Sequence, residues 1–150
     1  MSEWKKTMTA TLTETLAIRY TFGLFAEQAA TAVPMFFQRL FEIAPQVRPM
    51  FPGELSGHQR KFTMMMVWLV ERLDQPEQLI PALRDLGARH HRYGVSSAMF
   101  APTGEALLYT LERVLGDEYT PEVEACWVSL FGTITLEMQR GAEACLKGNC

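Results

Sequence analysis

The chain has three cysteines, three histidines and no long apolar run among its 150 residues, and each scarcity removes a class of protein. Cys126, Cys145 and Cys150 are odd in number and form no CxxC pair, so neither a disulfide framework nor a thiolate metal site is signalled and all three are expected to be reduced. The longest stretch without a charged residue is about a dozen, short of the ~20 that span a bilayer, so membrane insertion is not expected. The N-terminal MSEWKKTMTATLTETL is polar and lacks the apolar centre of a signal peptide, which predicts a soluble, cytoplasmic protein. Positive charge is also short. Fourteen Lys and Arg face 17 Asp and Glu for a net charge of −3, leaving no electropositive field for phosphate neutralisation, and nucleic acid is excluded as the expected partner. There is no Gly-rich phosphate loop, GxSxG elbow, HExxH or Cys and His pair with an orienting Asn, so the common hydrolytic and nucleotide chemistries are not signalled. This length suits one domain with one core, with no room for a flavin or nicotinamide module.

What is present is helical periodicity. No segment sustains an alternation of period two, which predicts an all-α domain. Thr11 and Glu14 form a capping box ahead of an apolar pattern through Leu16, Tyr20 and Leu24. Val33, Phe37, Leu40, Phe41 and Ala44 mark the next helix, loosened near its start by Pro34 and ending near Pro45. The segment PQVRPMFPGELSG is a corner whose largest apolar side chain, Phe51, needs something to bury it. From Gly57 a helix carries His58, Phe62, Met65, Met66 and Leu69 on one stripe. A shorter helix follows the loop at Asp74, Gln75 and Pro76, with Leu83, Leu86 and His90 on its inner face, and stops at Gly94. Phe100, Leu107, Leu111 and Val114 define a helix from near Ala98 to Gly116. Thr120 and Pro121 open the last one, with Val123, Trp127, Leu130, Phe131, Ile134 and Met138 on one face. Residues 1–10 are expected to be a flexible segment, 11–143 the domain, and 144–150 a flexible tail.

The histidines carry the chemistry. His58 and His90 each fall on an apolar stripe, on helices joined by a short loop, and are predicted to face each other. His91 is turned about 100° from His90 and is expected to be solvated. Neither stripe offers a carboxylate, hydroxyl or amide, and an unsatisfied buried imidazole nitrogen costs roughly 1 to 3 kcal/mol. Two histidines are too few for zinc, which wants three or four protein ligands. Haem removes the shortage, because the porphyrin supplies four equatorial nitrogens and the protein adds one or two axial imidazoles. Phe37, Phe51, Phe62, Leu86, Val95, Phe100 and Leu107 fall where the helices and corners converge and offer the apolar walls a macrocycle needs.

FFQRLF (36 to 41), Pro45 with MFP (50 to 52), HQRKF (58 to 62), LGARHHRYGV (86 to 95), TGEALLYTLERVLG (103 to 116) and Trp127 together resemble the globins, closest in pattern to single-domain bacterial globins and neuroglobins, over about residues 12 to 143. The resemblance implies helices packed three-over-three around haem b, iron protoporphyrin IX. It implies His90 as the proximal iron ligand and His58 as the distal residue, gating or coordinating the sixth site in a hexacoordinate state. It further implies that Phe51 stacks on the porphyrin, that Phe62 crowds the ligand side and that Lys61 pairs with a propionate. Phe37 stands where many bacterial globins have a tyrosine. Phe100 replaces the tyrosine that, with a glutamate in the last helix, polarises the proximal histidine of flavohaemoglobins, and the matching glutamate position is Ala142, with Glu143 beside it. Two activities stay open at this point: reversible binding of O2, NO or CO, or NO dioxygenation or nitrite reduction with electrons from a separate reductase.

Overall fold

The computed structural model describes residues 12–148, so Thr11 of the expected capping box, the segment 1–10 and the last two residues lie outside it. Among the described residues there are six α-helices and no strand: α1 Leu12–Glu27, α2 Ala29–Ile43, α3 Leu55–Glu71, α4 Pro76–Arg92, α5 Phe100–Leu115 and α6 Pro121–Leu146. Short 3-10 turns at Pro45–Met50, Ser97–Met99 and Gly116–Glu118 join them. No helix is long and apolar enough to cross a membrane.

The helix ends follow local chemistry. Thr120 caps α6 by accepting from the Val123 N–H at 3.2 Å, with Pro121 in the first turn where its missing N–H costs nothing. Gly116 ends α5 at φ 56°, a conformation that a side chain disfavours. Pro34 and Pro81 are each the sixth residue of their helix, and each withdraws one N–H without interrupting it. Two expectations need correction. α4 has 17 residues, as many as α3, because Pro76 starts it earlier than the apolar stripe suggests. α6 continues to Leu146, so residues 144–146 of the expected tail are helical. The cysteines also differ from a fully reduced set: Cys126 is a free thiol, whereas Cys145 is disulfide-bonded, which an odd count does not forbid.

α1 buries a different stripe from the one its leucines suggest. Ile18, Phe22 and Phe25 are in the core with Thr15 and Thr21, while Leu16 and Tyr20 are 59% and 57% exposed. The reason is a hydrogen bond that hydropathy does not register. Thr21 Oγ1 donates to the Ala17 carbonyl at 2.8 Å and accepts from the Trp127 indole N–H at 2.9 Å. The core tryptophan is thereby satisfied and α1 is bolted to α6.

The principal pairings are α2 on α5 and α4 on α6, with α1 against α5 and α6. α4 crosses α6 at two glycines. A Cβ at Gly87 would lie 1.9 Å from the Met138 carbonyl oxygen, and one at Gly141 would lie 1.8 Å from that of Arg84. The pairing of 87 with 138 and of 84 with 141 makes the crossing antiparallel. By contrast α3 and α4, joined only through residues 72–75, hardly touch. Because backbone atoms cannot swing aside as a side chain can, Gly141→Ala is expected to lose about 3 kcal/mol, the upper end for overpacking. Chemical denaturation checks this, and an unchanged midpoint would mean that the crossing is looser than described.

Candidate functional site

The separation of α3 from α4 leaves a cleft of about 230 Å³, lined by Met65, Trp68 and Leu69 from one side and by Ala82, Leu83, Leu86 and Arg89 from the other. Its lining is apolar except for Arg89, which Asp85 neutralises at 3.1 Å one turn earlier. His90 lies on the same stripe of α4, one turn beyond Leu86. Its Nδ1–H donates to the Leu86 carbonyl at 2.8 Å. That bond fixes the tautomer and leaves a lone pair on Nε2, which has no partner among the described residues. Burial pushes the pKa of His90 below the ordinary histidine range, the bond to Leu86 opposes the shift in part, and the Arg89 charge adds to it. A neutral imidazole with its second nitrogen bare is the form that ligates a metal.

A second group forms around the corner. Phe51 meets Phe37 edge-on at 5.2 Å and Phe41 at 5.7 Å, and Phe62 stacks on Phe36 at 4.5 Å while meeting Phe37 edge-on at 5.8 Å. The corner ring is thus half-buried against the aromatic face of α2, and edge-to-face geometry lets the positive rim of one ring meet the negative face of the next. His58 joins this group edge-on to Phe51 at 5.4 Å. In the first turn of α3, its Nε2–H donates to the Pro52 carbonyl at 2.8 Å, so Nδ1 is the nitrogen left bare.

The expected site residues therefore fall into two sets. Phe37, Phe51, Phe62 and His58 come together on the α2 and α3 side. Leu86 and Val95 attend His90, the first through its carbonyl and the second by donating its N–H to the His90 carbonyl at 3.0 Å. No contact joins His58 to His90. Leu107 is buried in α5, Phe100 is half-buried at the head of that helix and outside the aromatic cluster, and Lys61 is exposed with no ion pair among the described residues. The two stripes lack polar partners among their side chains only. Backbone carbonyls of Pro52 and Leu86 each take one imidazole N–H, a possibility that side-chain composition cannot register.

Two residues depart further from expectation. His91 is half-buried rather than fully solvated, on the α4 stripe it shares with Arg84 and Gly87, where α4 meets α6. Glu137 was not singled out, yet it is the buried carboxylate of α6, accepting from Arg84 at 2.8 Å and from Arg140 at 2.6 Å. Position 142 is alanine and Glu143 is exposed. A signal for Glu137 existed: it follows Leu130 and Ile134 at i+7 and i+3, on the inner stripe.

Among the described residues no three His, Cys, Asp or Glu gather into a metal cluster, so a metal at His90 would take most of its ligands from a non-protein group. The family model for the globins matches residues 34–138. Over 121 residues the chain is 30% identical to the neuroglobin of Tetraodon nigroviridis and to that of Chaenocephalus aceratus, and 31% identical to the neuroglobin of Danio rerio, covering 71% of this chain and 76% of each relative. The all-α architecture and these matches converge: the chain belongs to the globin family of haem-binding proteins.

Proposed function

We propose that the protein binds a diatomic gas, O2, NO or CO, reversibly at haem b, with His90 Nε2 as the fifth iron ligand and His58 controlling the opposite face. The observation that carries this reading is the state of the His90 ring, a neutral imidazole held by Leu86 with Nε2 bare beside an apolar crevice. Haem supplies four equatorial nitrogens and an iron with one further axial position. The chain supplies the rest. Phe51 and Phe62 offer flat apolar surface, Leu86, Val95, Phe100 and Leu107 offer aliphatic and aromatic wall, and exposed Lys61 offers an ammonium to a propionate. With phenylalanine at position 37, the imidazole of His58 is the polar group available to the distal side.

His58 has two uses for its Nε2. In this structure it donates to Pro52. A hydrogen bond of this kind nets only about 1 kcal/mol, so an alternative partner of similar strength populates a second position appreciably. Turned inward, the same nitrogen either coordinates iron or donates to a bound gas. The neuroglobin-like HQRKF favours coordination in the ligand-free state, so an incoming gas competes with His58, and the Pro52 carbonyl holds the ring once displaced. Internal occupation lowers apparent gas affinity by the fraction of open molecules.

Three outcomes follow. His90→Ala is expected to lose haem, and His91→Ala to retain it with an unaltered absorption spectrum; the reverse pattern would reassign the iron ligand. His58→Leu is expected to turn the ferrous spectrum from low-spin six-coordinate to high-spin five-coordinate, with faster carbon monoxide binding and faster oxygen release. A wild-type ferrous spectrum that is already high-spin, with carbon monoxide binding unmoved by the substitution, rules out coordination by His58. Finally, the haem-loaded protein should exceed the haem-free one in stability by more than the about 2.7 kcal/mol that a ligand at a hundred times its Kd confers. Calorimetry of the two forms checks this, and equal melting temperatures would contradict it.

A further inference from the structure

α6 carries a carboxylate for which gas binding has no use. Only 7% of the Glu137 side chain is exposed, and both of its oxygens are taken, Oε2 by Arg84 Nε at 2.8 Å and Oε1 by Arg140 Nη1 at 2.6 Å. Burying a carboxylate is costly unless it is paired, and apolar replacements of such a pair are often neutral or stabilising. Stability alone is therefore a poor explanation for it. What an ion pair adds over apolar packing is direction.

Direction is what the two glycine contacts at the α4 and α6 crossing do not supply by themselves. Gly87 and Gly141 let bare backbone meet bare backbone, which permits close approach, and at these two positions there is no side chain to interlock against a slide or a roll. α3, across the crevice, hardly touches α4 and supplies no second restraint. A charge-assisted hydrogen bond does resist, because it weakens steeply with misalignment and with distance beyond about 3.2 Å. Arg84 lies six residues before His90 on the same helix, and the His90 ring is tied to that helix by Nδ1–H on the Leu86 carbonyl. Any displacement of α4 is passed to Nε2 undiminished. The geometry points to Glu137 as a positioning residue that, through Arg84, sets the register of α4 on α6 and with it the place and direction of His90 Nε2. This rests on the reading of His90 as the iron ligand.

The test is the double variant Arg84→Met with Glu137→Met, which keeps side-chain volume and removes the directional link. In a His58→Leu background, where His90 is the one remaining axial histidine, the ferrous protein should show an iron–imidazole stretching band that is shifted or broadened in resonance Raman. Haem transfer to an acceptor apoprotein should be at least about tenfold faster, the lower end of what outer ligand supports contribute, with a melting temperature close to that of the parent. Glu137→Gln, which keeps shape and loses charge, should move the same readouts by less, and carries the test if the double variant does not fold. In the haem-free protein, nitrogen NMR of the His90 ring should also shift. A changed ring signal with an unchanged stretching band would overturn His90 as the ligand and leave the positioning intact. A lowered melting temperature with band, haem transfer and ring signal all unmoved would show that Glu137 is only structural and overturn the inference.

Discussion

The approach of α4 to α6 at Gly87 and Gly141 is the constraint on which the remainder of the structure depends. Two backbones cannot come so close if either position bears a Cβ, and α4 packs on α6 far more extensively than on α3. The apolar faces of α3 and α4 are thereby left unmated over part of their length, and the crevice lined by Met65, Trp68, Leu69, Leu83 and Leu86 results. A domain that buried all its apolar surface against itself would have no room for a cofactor. Here the close backbone contact of α4 with α6 and the crevice toward α3 lie on the same helix.

The histidines show how backbone groups complete what side chains do not. Leu86 and His90 are four residues apart on one helix, so the carbonyl of the first already bonds the amide of the second and has a lone pair left for the ring. This arrangement fixes a tautomer without a carboxylate in reach. Burial then keeps the ring neutral, and the Arg89 charge acts in the same direction. His58 obtains its partner differently, from Pro52, six residues earlier in the corner rather than in its own helix. The two imidazoles are alike in composition and opposite in use of their nitrogens, His90 exposing Nε2 and His58 occupying it.

The aromatic cluster defines the character of the distal side. Phe36, Phe37, Phe41, Phe51 and Phe62 meet ring to ring from α2, the corner and α3. A phenol at position 37 would need a partner for its hydroxyl in this setting, while a phenyl ring needs none. The consequence is an apolar wall in which His58, edge-on to Phe51, is the polar side chain of the cluster. Phe100 and Ala142 carry no polar side-chain group, and the buried carboxylate of α6 is Glu137, which pairs with Arg84 of α4.

The all-α class and most helix ends were legible in the sequence, as was the stripe of α4 that His90 shares with Leu83 and Leu86. These properties rest on signals local in the chain: Thr120 with Pro121, Gly116, and the spacing of Leu83, Leu86 and His90. A cap, a breaker and a period act within a few residues, so their effect survives without knowledge of the neighbours. Tertiary structure alone decided which stripe of α1 is buried, because Thr21 has value only once Trp127, over a hundred residues later, needs an acceptor. It alone decided that His91 faces α6, that His58 turns to Pro52, and that Glu137 is held between two arginines. Each of those depends on which helix lies alongside, and nothing within a few residues of His91 or Glu137 specifies that the backbones of Gly87 and Gly141 will cross behind them.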